Sequence, residues 1–88
     1  MHLNMRLVFE KQALEDLQHW VSNDRKVSAK VLKLIEHTQR DPFGGIGKPE
    51  QLKHNLSGLW SRRISQEHRL VYCIKNNELI VYSCRYHY

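Results

Sequence analysis

The sequence predicts an α+β domain in which a two-helix hairpin covers one face of a small, mainly antiparallel sheet. Two observations carry this. Apolar residues recur at helical spacing between residues 13 and 38, whereas the stretches on either side alternate with a period of two. The last three alternating stretches are joined by very short connections, which makes them an antiparallel meander. The expected order is β-α-α-β-β-β in a single domain, residues 1–88, because a chain of 88 residues has no room for a second core.

The first four residues, Met1-His2-Leu3-Asn4, read as a short N-terminal extension. Met5, Leu7 and Phe9 then alternate with Arg6 and Val8, as in a strand. In the first helix Ala13, Leu14, Leu17, Trp20 and Val21 fall on one stripe. Ser22-Asn23-Asp24 interrupts it, and Ser22 or Asp24 can cap the second helix. There Val27, Val31, Leu34, Ile35 and Thr38 form the inner face, with Lys26, Lys30 and Lys33 mostly outside. Asp41-Pro42 closes the helix, since proline disfavours helical geometry in the residue before it. Residues 43–49 form a loop holding Gly44, Gly45 and Gly47. Residues 59–65, 69–74 and 79–88 read as three strands, with turns at Gln66-Glu67 and Asn76-Asn77.

Composition narrows the function classes. No apolar run is long enough to span a bilayer and the N-terminus lacks a signal-peptide pattern, so residence in the cytoplasm is expected, away from membranes. Cys73 and Cys84 sit in apolar runs, where buried free thiols are expected rather than a bridge or a nucleophile. Neither Cys-x-x-Cys nor His-x-x-x-His occurs, which argues against a metal site; no cofactor is expected. The formal charge is +5. Residues 48–88 carry seven Lys/Arg against three Asp/Glu, and residues 1–47 carry seven against six. A basic surface of this kind attracts phosphate polymers, although a basic protein need not bind nucleic acid.

The basic half also holds the candidate chemistry. A carboxylate, fixed guanidiniums and an imidazole can cleave a ribose-phosphate backbone. The carboxylate accepts the 2′-hydroxyl proton, arginine stabilises the charge of the phosphorane, and imidazolium protonates the departing oxygen. Glu50 stands among Lys48, Lys53 and His54, and nearby cations keep a carboxylate ionised; the plain alternative is a solvated loop glutamate. The glycine loop before Glu50 is not a Walker motif, because Pro49 follows the Gly47-Lys48 pair where Ser or Thr is required. Arg62 and Arg63 are further candidate RNA contacts, and they must point to opposite faces of their strand, one toward the helices or an edge and the other at the open face. Arg69, Lys53, His54 and Arg85 are candidate phosphate contacts, and Tyr86 or Tyr88 could stack on a base. His87 is the candidate acid, with a frayed tail as the plain alternative. Trp20, Trp60 and Tyr72 are expected in the core. One ambiguity is register. A two-residue Asn76-Asn77 loop pairs Arg69 with Cys84, and a three-residue loop pairs it with Arg85, which puts His87 on its face. Convergence of Arg69 and His87 requires the second pairing or a bulge.

From Asp41-Pro42-Phe43 to the end the residues resemble the YoeB family of bacterial toxins, within the RelE superfamily. The resemblance rests on Lys48-Pro49-Glu50-x-Leu52-Lys53-His54-Asn55-Leu56-Ser57-Gly58-x-Trp60-Ser61-Arg62-Arg63-Ile64, on Glu67-His68-Arg69-Leu70-Val71-Tyr72 and on Arg85-Tyr86-His87-Tyr88. It implies a compact microbial-ribonuclease-like RelE fold, often dimeric. It also implies an mRNA endoribonuclease that acts in the ribosomal A site, inhibits translation and is silenced by a YefM-like antitoxin. By matching position it makes Glu50 the general base, Arg69 the phosphate stabiliser and His87 the general acid, with Tyr88 placing the substrate and Arg63 and Lys53 as further contacts. The competing reading is a non-catalytic module of the same fold that blocks a ribosome or a gyrase-like target. A transcription factor fits poorly, because no helix carries a basic face suited to base edges.

Overall fold

The computed structural model describes residues 5–86. The proposed extension, residues 1–4, and the candidate residues His87 and Tyr88 lie outside the described residues. The elements are β1 (Arg6–Phe9), α1 (Lys11–Asn23), α2 (Arg25–Arg40), β2 (Glu50–Gln51), a 3₁₀ turn (His54–Leu56), β3 (Trp60–Arg63), β4 (Arg69–Lys75) and β5 (Glu78–Ser83). One five-stranded sheet forms in the order β1-β5-β4-β3-β2, parallel only between β1 and β5. The α+β class and the helical hairpin are as the sequence predicts. The two-residue strand β2, inside the stretch expected only to deliver Glu50, is an addition.

Asp24 alone separates the helices. It ends α1 through its N–H to the Trp20 carbonyl and caps α2 by accepting the Val27 N–H at 3.3 Å. Val31, Leu34 and Ile35 of α2 and Ala13 and Trp20 of α1 pack on Leu70, Tyr72, Leu79 and Val81 of the sheet. Each fully buried aliphatic side chain contributes about 1.5–3 kcal/mol, which is what holds the hairpin to this face. The stripe expected on α1 is narrower than its apolar residues suggest. Leu14 and Val21 are 48% and 53% exposed, and the inward position between Ala13 and Trp20 is held by Asp16, which is buried.

The β4–β5 connection is a two-residue turn, with Lys75 opposite Glu78 and both Asn76 and Asn77 at positive φ, as a type I′ hairpin demands. A bulge then intervenes. Tyr72 lies opposite Val81 but Val71 lies opposite Ser83, so Tyr82 is the extra residue. The register therefore combines the short loop of one sequence reading with the shifted pairing of the other. β5 ends at Ser83, not at residue 88 as expected. Past it the Arg69 N–H donates to the Tyr86 carbonyl at 3.1 Å, and Tyr86 adopts φ 65.

Candidate active site

Pairing across the sheet decides which side chains share a face. Glu50 is opposite Ser61, Ser61 opposite Val71, and Val71 opposite Ser83, so these four form one row. Arg63 is opposite Arg69, one row further along the same face, because Ser61 and Arg63 are two residues apart on β3. Leu70, Tyr72, Leu79 and Val81 occupy the other face, under the helices. Glu50, Arg63 and Arg69 are thus together on the face the helices leave open. Neighbouring strands are spaced about 4.8 Å apart and residues along a strand about 3.3 Å. Two strands and two residues separate Glu50 from Arg69, roughly 12 Å between backbones, which long side chains on either side of one phosphodiester can span.

Glu50 is exposed. It opens a cleft of about 390 Å³ lined by residues 50–56, which brings it together with Lys53 and His54. The cleft is shaped by the β2–β3 hairpin. The Leu52 N–H donates to Leu59 O at 2.9 Å, and His54 turns the chain with φ 60.

Arg69 is half-buried, and its Nη1 donates to the carbonyls of Ser65 at 2.9 Å and His68 at 3.3 Å. Two backbone acceptors aim the guanidinium from one edge, and a fixed guanidinium stabilises developing charge without reorganising. Arg63 is exposed and rims a second cleft of about 340 Å³ with Lys30 and Lys48.

Arg62 corrects the expectation of an RNA contact. Its residue is wholly buried, facing the helices, while Arg63 takes the open face. Nη1 donates to Ile46 O at 2.7 Å, Nη2 to Asp41 O, and Nε to the Tyr72 hydroxyl at 3.3 Å. The Tyr72 hydroxyl in turn donates to Pro42 O at 2.6 Å. Burial pushes the Tyr72 hydroxyl above its ordinary value, an effect opposed by the Arg62 guanidinium. Each nitrogen of the buried guanidinium thus has an acceptor, and the two Nη bonds fasten residues 41–46 to the sheet. That loop leads directly to Glu50. Gly47 completes the fastening. It sits at φ 84, and a Cβ there would lie 3.1 Å from both Arg62 Cβ and Leu34 Cδ2, while its carbonyl accepts the Arg63 N–H at 2.6 Å.

The chain beyond β5 is held by side chains that sequence reasoning missed. Asp16 Oδ2 accepts the Cys84 N–H at 2.9 Å, and Trp20 Nε1 donates to the Cys84 carbonyl at 2.8 Å. His68 Nδ1 accepts the Tyr86 N–H at 2.7 Å. A carboxylate inside an apolar helical stripe was the legible signal for Asp16. His68 offered none beyond standing next to Arg69. Arg85 lies over the Tyr86 ring, 4.6 Å from guanidinium carbon to ring centre, and Tyr86 itself is 58% exposed. Both cysteines are free and buried. Burial, with a smaller push from the Asp16 carboxylate, raises the Cys84 thiol to about 12, which leaves it protonated and unreactive at neutral pH. Among the described residues no group of three or more His, Cys, Asp or Glu could hold a metal ion, and no helix is long and apolar enough to cross a membrane.

Comparison with known proteins adds a further finding. Residues 9–88 match the family model described as YoeB-like toxin of bacterial type II toxin–antitoxin system. Toxin YoeB of Escherichia coli K12 is 49% identical over 84 residues, covering 96% of this chain and all of that one. The structure of a YoeB/ParE toxin from Agrobacterium tumefaciens superposes with a TM-score of 0.93 at 42% identity, covering 96% of this chain and all of that one. YoeB of Staphylococcus aureus superposes as a dimer (TM-score 0.89, 44% identity) and in a YoeB–YefM complex (0.87, 42%), each covering 98% of this chain and all of the other.

Proposed function

Because the chain belongs to the YoeB-like family of bacterial type II toxins, we propose that this toxin is an endoribonuclease that cleaves mRNA in the ribosomal A site by attack of the 2′-hydroxyl. The observation that carries the reading is the sharing of one open sheet face by Glu50, Arg63 and Arg69. In the proposed reaction the Glu50 carboxylate takes the 2′-hydroxyl proton and the 2′-oxygen attacks phosphorus. Arg69 stabilises the phosphorane, whose added charge a guanidinium favours over the ground state. His87 then gives a proton to the 5′-oxygen as the P–O bond breaks, with Tyr88 placing the substrate. The products are a 2′,3′-cyclic phosphate and a 5′-hydroxyl, and no step calls for a metal. Lys53, His54, Arg63, Arg85 and Tyr86 supply contacts to phosphates and bases. Arg62 acts one step removed, by holding the loop that presents Glu50. The site of action is the cytoplasm, where translating ribosomes are.

The likeness to the Staphylococcus aureus dimer and YoeB–YefM complex supports two partners for this chain, a second copy of itself and a YefM-like antitoxin. The test is to incubate purified protein with ribosomes stalled on a defined message and to read the new ends. The expected result is a 5′-hydroxyl at the A-site codon. A 5′-phosphate, or growth arrest in cells with intact transcripts, would overturn the mechanism in favour of other chemistry or of a non-catalytic blocker.

A further inference from the structure

The polypeptide leaves the sheet after Ser83 and loses its strand ladder. Its backbone groups are then satisfied one by one. Asp16 takes the Cys84 N–H, Trp20 supplies the Cys84 carbonyl, and the Arg69 N–H supplies the Tyr86 carbonyl. The Tyr86 N–H is the remaining donor of this set, and it ends on a titratable acceptor, His68 Nδ1, at 2.7 Å. Tyr86 is also strained, with φ 65 in the left-handed region, so something must hold it there.

His68 is itself tightly placed. Its carbonyl accepts the N–H groups of Ile64 at 2.9 Å and Ser65 at 3.2 Å and Nη1 of Arg69 at 3.3 Å. Its ring lies edge-on to Trp20, with centroids 4.8 Å apart at 81°, and meets the Tyr86 ring at 5.6 Å and 46°. An Nδ1 that accepts an N–H must carry a lone pair, which fixes the ring as neutral with its proton on Nε2.

We propose that His68 is a positioning residue for the cleavage reaction: its neutral Nδ1 locks Tyr86 in the left-handed turn and so sets the direction in which the chain leaves the sheet toward its terminal residues. The same carbonyl of His68 aims Arg69, so one residue orders both the phosphate clamp and the tail. The activity arm of the test rests on the endoribonuclease reading above; the spectroscopic arm does not.

Asparagine places its carbonyl oxygen where Nδ1 stands, whereas glutamine replaces Nε2. His68→Asn therefore keeps the acceptor and His68→Gln removes it. In single-turnover cleavage of ribosome-bound message, His68→Gln is expected to fall by roughly tenfold to a hundredfold, the cost of misplacing reacting groups, with substrate affinity nearly unchanged. His68→Asn should stay within about threefold of wild type, by the same reasoning. Equal rates in the two variants would overturn the proposal. Long-range proton–nitrogen NMR on the wild-type protein tests the clamp directly, without cleavage or variants. It should find the His68 proton on Nε2, and selective tyrosine labelling should show a slowly exchanging Tyr86 amide. A proton on Nδ1, or a rapidly exchanging Tyr86 amide, refutes the clamp even if the protein cuts RNA. Both results as expected in a protein that cuts nothing would instead remove the endoribonuclease reading and leave the clamp standing.

Discussion

Replacing Arg62 by methionine separates a structural arginine from an RNA-binding one. Methionine keeps much of the aliphatic volume but removes the donors that satisfy Asp41 O, Ile46 O and the Tyr72 hydroxyl. Each buried acceptor left without a donor costs about 1–3 kcal/mol, and some of this is recovered as the loop opens to water. A net loss of about 3–4 kcal/mol is expected, in line with breaking a buried charged network. A domain of this size has a total stability of only about 4–13 kcal/mol, so the variant should fold with little margin. In urea, with a slope near 1 kcal/mol/M for so short a chain, the midpoint should fall by about 3 M. Arg62→Lys should lie between, because an ammonium cannot reach the same acceptors in a planar fork. A midpoint within about 0.5 M of wild type, combined with lost RNA binding, would refute the reasoning and return Arg62 to the substrate surface.

Other perturbations test the remaining parts of the site. Glu50→Ala should slow single-turnover cleavage by about a hundredfold or more, as should Arg69→Ala, with unchanged melting temperatures; wild-type rates would remove the assigned roles. Gly47→Ala should lower stability by about 1–3 kcal/mol in urea titration, because φ 84 and the 3.1 Å approaches to Arg62 and Leu34 admit no Cβ without movement; an unchanged midpoint would show that the loop relaxes freely. Stability should also fall at alkaline pH. The folded protein keeps the Cys84 proton up to about 12 while the unfolded chain releases it near 9.0, so the unfolded state binds fewer protons in between. The loss is about 1.4 kcal/mol for each pH unit above that lower value. Cys84→Ala should flatten this alkaline slope in urea titrations, and an unaltered slope would place the titrating group elsewhere.

Much of this architecture was legible because local chemistry and tertiary packing agree. The period-3.6 pattern of α2 buries Val31, Leu34, Ile35 and Thr38 as its spacing requires, and Asp24 caps it. The opposite orientations of Arg62 and Arg63 follow from strand geometry alone. Which of the two faces inward did not follow, because a fully buried arginine contradicts the usual preference of charge for water. What reverses the preference is an array of acceptors from residues 41, 46 and 72, assembled only when the loop closes. The strand β2 was hidden for a related reason. Two residues carry no periodicity, and only their partners Trp60 and Ser61 define them.

The register shows where sequence reasoning needs the third dimension. The sequence left a two-residue and a three-residue Asn76-Asn77 loop open, and the proposed chemistry called for the pairing of the longer loop or a bulge. The structure has the two-residue turn and, past a bulge at Tyr82, the shifted pairing. A bulge shifts every later side chain to the opposite face without changing the turn. Its position depends on how the end of β5 is drawn off the sheet, and the side chains that draw it off are far away in sequence, Asp16 and Trp20 on α1 and His68 before β4. Asp16 sits where an apolar residue would pack better and Tyr86 holds a strained turn. Local preferences are overridden on both sides of one short segment, the one that leads to the candidate acid. Consistency fails most readily at sites under functional constraint, so the clustering of these exceptions around residues 84–86 is itself an argument that the direction of the tail matters to the reaction.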